Sequence, residues 1–98
     1  MPAATRIGDA DIAHCSGMVR AQGSGSVFVN GRPWSCQSHV NTVHLLPGSP
    51  CPAHAAPIAI GSSSVFVEGL GAGRVGDALS GCTSVAAGSD NVFAGPPL

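Results

Sequence analysis

The chain has 98 residues, a formal net charge of −1 and only 9% charged side chains, four arginines standing against five acids. So sparse and balanced a charge supplies no basic stripe for nucleic acid and no self-repulsion to hold the chain open. Fourteen glycines and eight prolines leave little room for an ordinary helix, so one turn-rich, all-β domain is expected, its small core in need of a staple: a disulfide, a metal or a partner.

Met1 leads directly into Pro2-Ala3-Ala4-Thr5, without the charged start and apolar core of a signal peptide. No apolar stretch is long enough to span a bilayer. Folding in the cytoplasm is expected, with cysteines reduced or metal-bound. Ser26-Val27-Phe28-Val29 is a β-prone run, and Asn30-Gly31 after it suits a type I′ turn, predicting a hairpin back through Arg32-Pro33-Trp34-Ser35. The segment Leu45 to Pro57 carries Pro47, Pro50, Pro52 and Pro57 and reads as a rigid, irregular loop holding Cys51 and His54. Val65-Phe66-Val67 followed by Glu68-Gly69 repeats the hairpin pattern. Val92-Phe93-Ala94-Gly95 is a weaker third version, cut short by Pro96-Pro97-Leu98.

These three runs close a repeated phrase. Gly23-Ser24-Gly25-Ser26-Val27-Phe28 returns as Gly61-Ser62-Ser63-Ser64-Val65-Phe66 and as Gly88-Ser89-Asp90-Asn91-Val92-Phe93. A phrase used three times in a short chain is an internal repeat, with units of about residues 2–31, 32–69 and 70–95. The first and third units open alike, Arg6-x-Gly8-Asp9 and Arg74-x-Gly76-Asp77, and the middle one has His39 where the aspartates fall. Five positions beyond these anchors stand His14, His44 and Cys82, all transition-metal ligand types.

Three units that each offer one ligand at the same local position converge on a pseudo-threefold axis. A fourth, from the inserted loop, is His54. Zinc prefers four such ligands in a tetrahedron, so the expectation is one structural zinc held by His14, His44, His54 and Cys82, with no open position. Cys51, Cys15 and His39 are the alternative ligands. Without a C-x-x-C pair, the four cysteines also allow two disulfides in any of three connectivities. Cys36 reads as a small buried hydrophobe and Trp34 as a packing residue.

Gly71-x-Gly73-x-x-Gly76 matches a dinucleotide-binding pattern, but Asp77-Ala78-Leu79-Ser80-Gly81-Cys82 after it is no helix, which that fingerprint requires. No Gly-x-Ser-x-Gly elbow is present. Asp9 and Asp77 each follow a glycine, which suits carboxylates that stabilise turns better than a catalytic pair. No enzymatic activity is expected.

These phrases resemble the PAAR-repeat (proline-alanine-alanine-arginine) family, on Pro2-Ala3-Ala4-Thr5-Arg6-Ile7-Gly8-Asp9, Arg74-Val75-Gly76-Asp77 and the three Val-Phe closings. The departures are the extra Thr5 and the loss of Arg and Asp in the middle opening. The resemblance implies a small cone of short β-hairpins with pseudo-threefold internal repeats and a zinc ion near its apex, a pattern that His14, His44, His54 and Cys82 fit. It further implies a sharp tip that caps the homotrimeric β-helical spike, VgrG-like or phage-derived, of a type VI secretion system or contractile phage tail. One monomer would sit on each trimer. The tip would be made in the bacterial cytoplasm, assembled on the spike, and driven through a target membrane by sheath contraction, in transient contact with it. The chain stops soon after its last strand and so reads as a bare tip with no effector extension. The alternatives are a small metal-dependent hydrolase and a disulfide-stabilised secreted binding module.

Overall fold

Two tight turns of matching geometry frame the molecule. Asn30-Gly31 takes φ angles of 53° and 79°, and Glu68-Gly69 takes 52° and 79°, the left-handed pair that a type I′ hairpin turn demands. In the computed structural model, which describes residues 1–13, 16–44 and 53–96, the first turn joins β1 (Phe28–Val29) to β2 (Arg32–Pro33). The second joins β3 (Phe66–Val67) to β4 (Leu70–Gly71). Both pairs are antiparallel, with Phe28 opposite Pro33 and Phe66 opposite Gly71. The described residues contain no helix, and therefore none long and apolar enough to cross a membrane.

The third Val-Phe phrase forms no hairpin with the described residues after it. Its partner is the start of the chain: Phe93 bridges Ala3, and Ala94 N–H donates to Pro2 O at 3.0 Å. The same backbone bond then occurs at three places, from Trp34 to Val27 O, from Ala72 to Val65 O and from Ala4 to Val92 O, at 3.1, 2.9 and 2.9 Å. Before each run a serine hydroxyl closes the turn. Ser24 Oγ accepts from Val27 N–H, Ser62 Oγ from Val65 and Ser89 Oγ from Val92, at 2.9, 2.9 and 3.0 Å. A short polar side chain here satisfies amides that the tight bend would leave without partners.

The segments after these runs bridge in a ring, Arg6 to Trp34, Cys36 to Ala72 and Arg74 to Ala4. Beyond them Asp9, His39 and Asp77 each fold back in the same way. Asp9 Oδ2 accepts from Arg6 N–H at 2.9 Å, Asp77 Oδ2 from Arg74 N–H at 2.7 Å, and His39 Nδ1 from Cys36 N–H at 2.9 Å. The aspartates are therefore turn-closing groups, and an imidazole nitrogen does the same work in the middle segment. Gly71 and Gly73 are packing positions. A Cβ on Gly73 would lie 2.1 Å from Ser35 O, so the backbone there is held closer than any side chain allows.

The Cα atoms span 41 × 24 × 24 Å, and the described residues form two apolar clusters. One gathers Ala4, Val29, Trp34, Cys36, Val67, Ala72 and Ala94. Trp34 packs in it with its indole N–H bonded to Gly73 O at 2.9 Å, and burial pushes the Cys36 thiol up to about 11. The other cluster gathers Met18, Ala56, Ile58, Leu79 and Val85, with Cys82 packed against it.

Candidate metal centre

The second cluster carries the site. Chain segments ending at His44 and starting at His54 pair antiparallel: His44 N–H donates to His54 O at 3.0 Å, and His54 N–H to His44 O at 3.2 Å. This reciprocal pair brings the two rings together, centroids 4.1 Å apart and planes at 63°. Cys82 arrives on a tight turn in which its own N–H donates to Leu79 O at 3.1 Å, with Gly81 in the left-handed region at φ 65°. The ligand atoms of His44, His54 and Cys82 all lie within 4.8 Å of one another.

The hydrogen bonding orients one of these ligands. His44 Nδ1 stands 3.0 Å from Thr42 O. A carbonyl only accepts, so Nδ1 carries the proton and Nε2 keeps its lone pair. That Nε2 is 3.5 Å from Cys82 Sγ. A tetrahedral zinc with bonds of roughly 2.3 Å to sulfur and 2.0 Å to nitrogen would hold these atoms about 3.5 Å apart. Anchoring the far ring nitrogen on a carbonyl is also how metal-binding histidines are fixed. His44, His54 and Cys82 thus fit a metal ion in donor type and spacing, and His44 fits it in tautomer as well.

Of the four ligands expected from the sequence, the structure brings together three. His14 lies outside the described residues, as do the alternative ligands Cys15 and Cys51. His39 is not in the group. Its Nδ1 is occupied by the Cys36 amide, and burial, with the nearby Arg20 charge, lowers its affinity for a proton. Cys36 and Cys82 are both free thiols, so the arrangement with all four cysteines in disulfides is not formed.

Close in sequence to these ligands is a polar group that sequence reasoning missed. Arg20 and Asp11 are fully buried and joined at 3.1 Å. Arg20 also donates to Ser35 Oγ at 3.2 Å and to His39 O at 2.7 Å. Asn41 Nδ2 shares Asp11 Oδ2 at 3.0 Å, and Asn41 Oδ1 accepts from Ala56 N–H at 2.8 Å. Burial works against both charges, raising the Asp11 carboxyl and lowering the Arg20 guanidinium from their ordinary values, so the hydrogen bonds around the pair are what make it tolerable. Asp11 precedes His14 by three residues and Asn41 precedes His44 by three, which is the only trace of this group in the sequence. No protein-family model and no curated protein matches the chain.

Proposed function

We propose that this chain is a spike tip of the PAAR-repeat kind, a cone of three quasi-equivalent units closed by zinc and seated on the blunt end of a trimeric β-helical spike. The observation that carries this reading is the recurrence, in cyclic order, of one hydrogen-bond set at Val27, Val65 and Val92. Next to those valines, Phe28, Phe66 and Phe93 are 55%, 61% and 49% exposed. Three similar apolar edges about one axis suit three identical chains, whereas a monomeric partner would meet only one of them. A bacterial type VI secretion system or a contractile phage tail is the setting, with one copy per trimer and a monomer when free. The chain would be made in the cytoplasm and carried outside on the spike, touching the target membrane only in passage.

Zinc is the metal that the mixed imidazole and thiolate donors favour. Its role here is rigidity, because a structural zinc contributes folding free energy that so small a core lacks. Puncture is mechanical work by the sheath, and no step at the tip makes or breaks a substrate bond. The metal-dependent hydrolase reading needs an open coordination position. It is tested by a screen of ester, phosphate and peptide substrates against a Cys82→Ser control, in which no metal-dependent turnover is expected. The spike-tip reading itself is tested by size-exclusion chromatography of the chain with the trimeric spike encoded by its own genome. Co-migration is expected, and separate elution at micromolar concentrations would overturn it.

A further inference from the structure

The ladder that presents His44 contains an irregularity. Val40 bridges Pro57, yet His44 bridges His54, so four steps on one segment face three on the other. One extra residue is therefore accommodated between Asn41 and His44, a β-bulge, which reverses the alternation of side chains beyond it. Burial agrees with that reversal. Asn41 and His44 are both buried while Val43 is 66% exposed, whereas regular alternation from Asn41 would bury Val43 and turn His44 outward. Thr42, within the bulge, is held on both sides of its Cα, its N–H on Val19 O at 2.9 Å and its carbonyl on His44 Nδ1 at 3.0 Å.

At Asn41 one ladder bond is kept and the other is made by the side chain. Its backbone N–H donates to Ala56 O at 3.2 Å, and its side-chain oxygen accepts the Ala56 N–H at 2.8 Å. The other end of the same amide is fixed on Asp11, itself pinned by Arg20. Leu79, two residues beyond Asp77 as Asn41 is beyond His39, occupies the corresponding place in the third unit and is a plain apolar residue. An amide at this position is therefore not a requirement of the core. We infer that Asn41 is a positioning residue of the metal centre: its side chain closes the bulge that turns His44 Nε2 toward Cys82. This rests on the proposed reading that the site holds a metal.

The test uses cobalt(II) in place of zinc, because its visible spectrum reports the ligand set of the saturated protein independently of how stable the fold is. Asn41→Leu keeps the γ-branched shape and removes both side-chain hydrogen bonds. At saturation the variant is expected to keep the thiolate-to-cobalt charge-transfer band from Cys82 but to lose intensity in the tetrahedral ligand-field bands as His44 turns away. Metal affinity in chelator competition is expected to fall about 10- to 100-fold, the range for groups that orient a ligand from behind. Val67→Ala, in the other apolar cluster, is the control. It lowers stability and leaves the saturated spectrum unchanged. If Asn41→Leu does not fold even when loaded, Asn41→Ser, smaller and still polar, is judged by the same spectrum. A variant spectrum identical to wild type, with affinity no lower than that of Val67→Ala, overturns the inference alone. Wild-type protein that takes up no cobalt overturns the metal reading and this inference with it.

Discussion

Replacing Phe28, Phe66 and Phe93 by alanine, singly and together, probes the proposed base in a way the structure makes quantitative. The three rings sit at matching places, opposite Pro33, Gly71 and Ala3, and are 55%, 61% and 49% exposed. Fully burying a phenylalanine is worth about 1.5–3 kcal/mol. Since roughly half of each ring is already out of water, docking recovers about 1 kcal/mol per ring. Each single variant should therefore weaken spike binding about fivefold, and the triple variant on the order of 100-fold. Free-protein stability should change little by comparison, because the lost area faces solvent. Isothermal titration against the trimeric spike, beside thermal melts of each variant, separates the two effects. Charge is sparse, so added salt should leave the affinities nearly unchanged. Near-equal losses are the signature of three quasi-equivalent contacts. One phenylalanine carrying the whole effect, with the other two silent, would refute the reasoning.

Elemental analysis of protein purified without added metal should give about one zinc per chain, and Cys82→Ser should lose the metal and fold poorly, since binding and folding share one free energy; a fully folded, metal-free wild type would contradict this. Gly73→Ala should cost about 3 kcal/mol or more in a urea melt, because the new methyl meets Ser35 O at 2.1 Å, whereas Gly25→Ala, with nothing within 4 Å, should be near neutral. The Asp9 carboxyl sits below its ordinary 3.8: burial alone would raise it, and the hydrogen bonds from Arg6, with the Arg6 and Arg32 charges, outweigh that. A lowered folded value means stability fully present above the ordinary aspartate range and lost as pH falls through the folded value, so Asp9→Asn should flatten the acid limb of the stability profile below about pH 4.

The hairpins were legible because their signals are local. Asn30-Gly31 tolerates positive φ at little cost, and the flanking Val-Phe runs have the β-branched and aromatic character of strands. Glu68 has no such tolerance. It reaches φ 52° with its carboxylate accepting from both Ser24 and Ser26 hydroxyls, a tertiary support that no local pattern announces. Nor does the third phrase state its partner. Ala3 meets Phe93 from the opposite end of the chain, so Val92-Phe93-Ala94-Gly95 reads as truncated although its return strand is simply the first residues.

At the site, the recurring position of His44 and Cys82 was visible as ligand chemistry at a fixed offset. The company they keep was not. Composition rules place charges outside, so nothing marked Arg20 and Asp11 as interior groups, and a one-residue bulge leaves no trace in hydrophobic alternation as short as Asn41 to His44. His39 shows the converse: as a histidine it invites a ligand reading, while its Nδ1 closes a turn as the Asp9 and Asp77 carboxylates do.

The proposal of a tip seated on a trimer is tested most directly by mass. Native mass spectrometry of this chain mixed with the end fragment of its trimeric spike should give a complex of one copy to three spike chains, with no stable self-association of the free chain. A 3:3 assembly, or no complex at all, would contradict it and leave the threefold recurrence as a device of folding alone.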